Sequence, residues 1–364
     1  MPQDRFAARR DRLLRQLKTA GVDALLVTSP YNVRYLTGFT GEDSNLVIGA
    51  NLTGLVSDSR FETQISQECP ELDVTIRTSS QTLTEAVAHV VGRAKLSVMG
   101  FESRTTTYSQ WESLASAVKA LQLIPQVDQV EALRQIKDAD ELAQIRQAIR
   151  QAERGFAVLK ASLCGDMSEQ QAANELEQAM RRFGAKQASF DTIVAVGQRA
   201  ALPHARPTST RIGEANFLLI DWGATNFQGY HSDLTRMLAT GTISPKLEKL
   251  HGVVLNAQQQ AIDAIRPGIA GSDVDAIGRD VIAKAGWGKN FGHGLGHGIG
   301  LEIHEGPRLS RISKDILKPG MVVTVEPGIY LPGVGGIRIE DDVLVTRNGH
   351  EVLTSLPREF ALAN

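Results

Sequence analysis

The chain has 364 residues, 42% hydrophobic and 22% charged, with a formal net charge of -2. That length exceeds the ~100–200 residues of a single domain, so two domains are expected. Dispersed Lys and Arg near charge balance argue against a nucleic-acid or membrane surface as partner, and two isolated cysteines, Cys69 and Cys164, suit a cytoplasmic protein with neither a disulfide framework nor a CxxC metal site.

The opening residues place Phe6, Leu13, Leu14 and Leu17 on one helical face, stop at Gly21, and lack the apolar run of a secretory signal. No apolar run approaches the ~18–20 residues that span a bilayer. From Val22 to about Val130 the β-like runs DALLVT, NLVIGA, TGLVSD and KLSVMGF alternate with helical stretches such as 81–95, an α/β pattern. No cluster of His, Cys or acid stands out there, and YNVRYLTGFTG (31–41) reads as a packed, turn-rich loop.

A long amphipathic helix is expected from Asp138, capped by the Asp138/Glu141 pair, with Leu142, Ile145, Ile149, Phe156 and Leu159 on one face. A second helix follows the Ser168/Gln171 capping box and ends at Gly184. Strands are expected in SFDTIVAV, NFLLIDWGA and GYHSDLTRML. The order then repeats, with a helix from Ser244-Pro245 to Arg266-Pro267-Gly268, a helix capped at Ser272, a glycine-histidine segment, and the strands MVVTVEPGIY and GGIRIEDDVLVT. Residues ~138–240 and ~244–346 therefore read as two α/β halves facing each other across one sheet.

Acids stand where burial should exclude them. Asp221 ends the apolar run NFLLID, Asp233 sits in YHSDLTRML, Glu326 closes MVVTVE, and Glu340 lies in GGIRIEDD. A buried unpaired carboxylate costs several kcal/mol. Any one of these acids could be a cap or half of an ion pair, but four in matching places on two strand pairs point to divalent cations. Two such ions would neutralise four carboxylates, and carboxylate oxygens with one imidazole suit Mn²⁺, Co²⁺, Fe²⁺ or Zn²⁺. The imidazole is expected from FGHGLGHGIGLEIHEGP (291–307), which threads His293, His297 and His304 through alternating glycines. Arg338, two residues before Glu340, shares its strand face and would orient a ligating carboxylate. GxGxxG, P-loop, HExxH and GxSxG patterns are all absent.

Together DWGA, GYHSDLTR, GHGLGHGIGLEIHE, VEPGIY and GIRIEDD resemble the metal-dependent aminopeptidase family that includes methionine aminopeptidase, aminopeptidase P and prolidase, with creatinase as a metal-free relative. NVRYLTGF is similar to the N-terminal domain of prolidase, aminopeptidase P and creatinase, and AALPHARP (200–207) to the stretch that carries a substrate-site histidine in prolidases. The resemblance implies an N-terminal creatinase-like α/β domain over 1–130 and a pita-bread α/β (α+β) catalytic domain with pseudo-twofold halves over 131–364. It implies that Asp221 holds one metal, that Asp233 and Glu340 bridge two, and that His297 and Glu326 complete the second site. It places His204, His293 and His304 against substrate. One departure is that Asp221 and Asp233 are twelve residues apart, one more than the family spacing; the extra residue is expected in the hairpin Thr225–Gly229.

The activity implied is hydrolysis of an Xaa-Pro bond in short proline-containing peptides, by a water activated at two divalent ions, Mn²⁺ first among them, with Glu326 passing its proton to the leaving nitrogen. Prolidase is favoured over aminopeptidase P by AALPHARP. Methionine aminopeptidase is disfavoured by the N-terminal domain, and creatinase by the five metal ligands. A catalytically silent peptide-binding protein on the same fold is the reading from another class. A homodimer is a family expectation.

Overall fold

The computed structural model describes residues 2–94 and 96–362, in two compact units, Met1–Arg134 and Gln135–Asn364. The first unit runs α1 (Pro2–Thr19), β1 (Ala24–Val27), α2 (Pro30–Thr37), β2 (Asn45–Gly49), β3 (Leu52–Ser57), α3 (Glu62–Glu68), β4 (Asp73–Ile76), α4 (Leu83–Arg93), β5 (Val98–Glu102), α5 (Tyr108–Ala117), β6 (Gln122–Gln126) and α6 (Glu131–Arg134). Its six strands form one sheet in the order β4-β3-β2-β1-β5-β6, with β1, β2 and β3 antiparallel and the remaining pairs parallel. Val47, Val56, Val87, Val91, Met99 and Phe101 belong to its apolar core.

The stretch read as a loop at 31–41 is largely helical. Pro30 opens α2, Gly38 closes it at φ 83°, and Val33, Tyr35 and Leu36 are buried. No local side chain caps this helix. Glu102 at the end of β5 does so instead, accepting from the Thr28 and Ser29 amides at 2.7 Å each, a signal that local sequence does not carry.

The second unit begins with α7 (Ala139–Ser162) and α8 (Glu169–Arg182), both with the expected capping boxes. Then come β7 (Gln187–Ala188), β8 (Ile193–Val196), β9 (Phe217–Trp222), β10 (Ala224–Thr225) and β11 (Leu234–Ala239). The second half contributes α9 (Pro245–Ala264), α10 (Gly271–Lys284), β12 (Gly296–Gly298), β13 (Glu305–Leu309), β14 (Val322–Val325), β15 (Gly328–Leu331), β16 (Gly335–Arg338), β17 (Asp341–Val345) and β18 (His350–Val352), before the terminal β19 (Ala361–Leu362). Helix α10 starts before Ser272. Its N-cap is Ala270, which makes no side-chain cap, and Gly271 is required because a Cβ there would meet the Arg308 carbonyl at 2.2 Å.

Instead of one continuous sheet, each half carries its own, in the orders β19-β11-β9-β8 and β13-β12-β14-β17-β18, with β15 and β16 as a separate hairpin. The two expected long strands are each broken at their acid. Glu326-Pro327 separates β14 from β15, and Ile339-Glu340 separates β16 from β17. Proline has no N–H for a ladder, so the break at Pro327 is built into the sequence. An isolated bridge between Thr235 and Glu340 joins the halves at this point.

One core packs α7 and α8 on the first sheet, with Phe156 stacked on Trp222 at 4.4 Å between centroids and the Trp222 indole donating to the Ala152 carbonyl. The other packs α9 and α10 against strands of both sheets and the β15–β16 hairpin, through residues such as Val254, Val274, Leu219, Met237, Val323 and Ile337.

Candidate metal centre

Strand β9 is buried along its whole length, and Asp221 is its fifth residue. Register pairs Thr235 with Asp221, and Asp233 stands just before β11. The connection between β10 and β11 turns at Asn226–Tyr230, where the Asn226 amide donates to the Tyr230 carbonyl and Gly229 adopts φ 78°. Asp233 consequently lies beside the other half: ligand atoms of Asp233, His297 and Glu340 all fall within 4.8 Å of one another, and all three residues are buried.

The glycine-histidine segment owes its composition to close backbone approach. A Cβ at Gly296 would meet the Thr324 carbonyl at 2.0 Å, and one at Gly298 the Gly306 carbonyl at 2.1 Å, so β12 fits between β13 and β14 only with glycine there. His297, between them, contacts Gly298 O through Nδ1 at 3.1 Å. A carbonyl can only accept, so Nδ1 carries the proton. Burial holds the ring near pKa 3, far below the usual imidazole range, so it is neutral with a bare Nε2. That lone pair faces Glu326 Oε1 at 3.4 Å and Asp233 Oδ2 at 3.6 Å. Electron pairs facing one another need a proton or a metal ion between them.

The carboxylates make the same case. Burial first, then the charges of Glu340, Asp221 and Glu326, push Asp233 well above the usual carboxylate range. Burial together with Glu326 and Asp221 does the same to Glu340, whose one neutral donor is the Thr235 hydroxyl at 2.7 Å. Burial raises Glu326 to about 8 against the partial relief of Arg338. Asp221 is also raised by burial, with Arg338 opposing; its Oδ2 accepts from Arg338 Nη2, while Oδ1 is buried with no hydrogen-bond partner. Four acids with so few donors, an orphaned oxygen and a bare imidazole nitrogen fit divalent cations.

Arg338 is a hub. Besides Asp221 it donates from Nε to Thr235 Oγ1 at 3.1 Å and from Nη1 to Tyr330 Oη at 2.8 Å, and it reaches the Pro203 carbonyl at 3.3 Å. Thr235 relays this to Glu340, and Tyr330 meets His293 Nε2 at 2.9 Å. His293 Nδ1 contacts the Gly294 carbonyl at 2.8 Å, so both its nitrogens are engaged, and burial lowers its pKa to about 4. His304 is exposed, with its ring 4.5 Å from that of His297, and burial of its surroundings lowers its pKa. His204 is exposed on the loop after β8, close to Asp221, His293 and His304.

Thr235, Tyr330 and Asp342 were not singled out from the sequence. Asp342, buried and with Oδ1 unpartnered, accepts the Asp233 amide at 3.2 Å. The doubled acid in IEDD was the available signal for it, whereas nothing in one sequence distinguishes Thr235 or Tyr330 from ordinary strand residues. No helix among the described residues is long and apolar enough to cross a membrane.

Comparison with known proteins agrees with this geometry. Residues 143–347 match metallopeptidase family M24, and residues 9–136 match the creatinase/prolidase N-terminal domain. An uncharacterized peptidase of Bacillus subtilis is 40% identical over 94% of this chain and 96% of its own. Among solved structures, an Xaa-Pro dipeptidase from Bacillus anthracis is 38% identical with a TM-score of 0.94, covering 98% of this chain and 99% of that one. An X-Pro aminopeptidase from Thermotoga maritima is 36% identical with a TM-score of 0.88, covering 96% and 99%.

Proposed function

Because the chain belongs to metallopeptidase family M24, we propose that it hydrolyses the Xaa-Pro bond of dipeptides at a pair of divalent ions, Mn²⁺ first among the candidates. The observation that carries this is the donor-poor cluster of Asp233, His297 and Glu340, with Glu326 alongside. Asp221, Asp233, His297, Glu326 and Glu340 would hold the ions, Asp233 and Glu340 serving both. When bound, the ions supply positive charge that keeps these acids ionised, acidifies a water and polarises the scissile carbonyl.

Glu326 takes the proton of the attacking water and returns it to the leaving nitrogen; the burial that raises its carboxyl to about 8 in the metal-free site makes it a stronger base than an ordinary carboxylate. His204 and His304, both exposed at the rim, donate to the negative charge that develops on the carbonyl oxygen, where an organised donor is worth about 3–4 kcal/mol. His293 is tied by both nitrogens and presents its ring to the substrate side while fixing Tyr330. Arg338 holds Asp221 and, through Thr235, Glu340. Proline after the scissile bond leaves no N–H to recognise, so ring shape must supply the selectivity.

The X-Pro aminopeptidase of Thermotoga maritima favours a second reading, removal of a residue before proline in longer peptides. We read the protein as cytoplasmic, consistent with its two free cysteines, and as a homodimer. Hydrolysis of Ala-Pro and of Ala-Pro-Ala by Mn²⁺-loaded protein, each with and without chelator, tests this. Chelator-sensitive cleavage of Ala-Pro alone supports the dipeptidase, cleavage mainly of Ala-Pro-Ala the aminopeptidase, and cleavage of neither would overturn both.

A further inference from the structure

The loop from Val196 to Thr208 has no regular structure beyond a 3₁₀ turn at Gly197–Ala201, yet it delivers His204 to the rim of the metal centre. Its tip is tied to the site through Pro203, whose carbonyl accepts from Arg338. Its base is closed by one side chain. Glu169, the first residue of α8, is fully buried, and its two oxygens take both ends of the loop. Oε1 accepts from the Val196 amide at 2.8 Å and from Arg199 Nε at 2.9 Å. Oε2 accepts from the Thr208 amide at 2.8 Å, the Thr208 hydroxyl at 2.7 Å and again Arg199 Nε at 3.0 Å. Arg199 continues the brace by donating to the Arg206 carbonyl at 2.6 Å.

Helix capping does not explain this carboxylate, because Ser168 and Gln171 already form a complete capping box. Nor does it face the metal centre: its acceptor capacity is filled by donors from the loop, unlike that of the acids at the cluster. What remains is the loop itself, eleven residues from Gly197 to Pro207 drawn together at their ends by a single buried group. Ordering such a segment costs conformational entropy, which these charge-assisted hydrogen bonds offset.

We propose that Glu169 is a positioning residue for the substrate side of the site, closing the 196–208 loop so that His204 is held over the reacting bond while the metal ligands are left untouched. This rests on the peptidase reading given above. Glu169→Gln keeps the volume but turns one acceptor oxygen into an amide that faces the loop's own donors. Amide hydrogen exchange over 197–207 should rise at least about 10-fold, with exchange over 293–297 unchanged. Divalent-ion content should also be unchanged, kcat for Ala-Pro should fall about 10-fold and KM should change by less than about 3-fold, because the His204 donation is made to charge that develops only in the transition state.

Unchanged exchange over 197–207, an unaltered kcat, or a loss of ion content would overturn the proposal. Should Glu169→Gln not fold, Arg199→Gln removes one strut of the clamp from a side chain 29% exposed and should give the same pattern at smaller amplitude; an unaltered kcat there counts against it equally. If exchange rises but the unsubstituted protein cuts no proline peptide, the peptidase reading is at fault and the clamp stands.

Discussion

Glu340 and Asp341 are neighbours in sequence and equally buried, at 2% and 1% exposure, yet they live in opposite surroundings. Asp341 faces away from the metal centre and accepts from Arg236 Nη2 at 2.7 Å, Arg358 Nε at 2.6 Å, Gln258 Nε2 at 3.0 Å and the Thr354 hydroxyl. Glu340 faces the centre, has the Thr235 hydroxyl, and otherwise meets Glu326 and Asp221 with Arg338 as partial relief. Burial is common to both; the supply of donors is not. An acid whose donors are built into the fold serves structure, and an acid left without them needs a cation from outside.

The widest separation of the two should come from replacing each in turn. Glu340→Gln is expected to lower kcat/KM for Ala-Pro by about 10⁴-fold, roughly 5.5 kcal/mol, while the metal-free protein melts no lower than before because a repulsion has been removed. Retained activity would sink the metal centre. Asp341→Ala should act the other way round, destabilising the fold by about 3–5 kcal/mol in urea titrations because Arg236 is left buried without its counter-charge. A loss below about 1 kcal/mol would mean that the back-face pairing is dispensable.

In the metal-free protein pH provides a gentler contrast. Between about 6.5 and 8 the folded state retains the Glu326 proton that the unfolded chain, with its ordinary carboxyl near 4.5, has already lost. Stability should therefore fall as pH rises through that window, by on the order of 2 kcal/mol from Glu326. Below 6.5 the depressed histidines His293 and His297, which the unfolded chain protonates first, work in the opposite sense, so the upper window is the clean one. Urea midpoints at pH 6.5 and 8 with chelator, repeated with Mn²⁺, would show the slope and its disappearance; equal slopes in both would remove the cation from the explanation. The smallest effect belongs at the surface. Arg146 meets Glu351 at 2.7 Å, but both are well exposed, and Arg146→Ala should cost less than about 1 kcal/mol.

The same contrast explains what could be read from the letters alone. Asp221 was legible because one acid closes a wholly apolar strand, and the spacing of acids over two strand pairs led to the rest of the cluster. The Asp138 and Ser168 capping boxes were legible because both partners lie within one turn. Helix α2 was not, because its cap is Glu102 from another strand. Thr235, Tyr330 and Glu169 were hidden for a related reason. Each is an ordinary residue until its partners, brought from elsewhere in the chain, stand beside it. Glu169 in particular looks like any acid in the first turn of a helix until both ends of the 196–208 loop arrive at its oxygens.

The most direct measurement is a calorimetric titration of chelator-stripped protein with Mn²⁺. A dinuclear centre predicts two ions per chain with release of protons from the overcrowded acids, and loss of at least one ion in Glu340→Gln. Absence of saturable binding, or binding unaffected by that substitution, would contradict it.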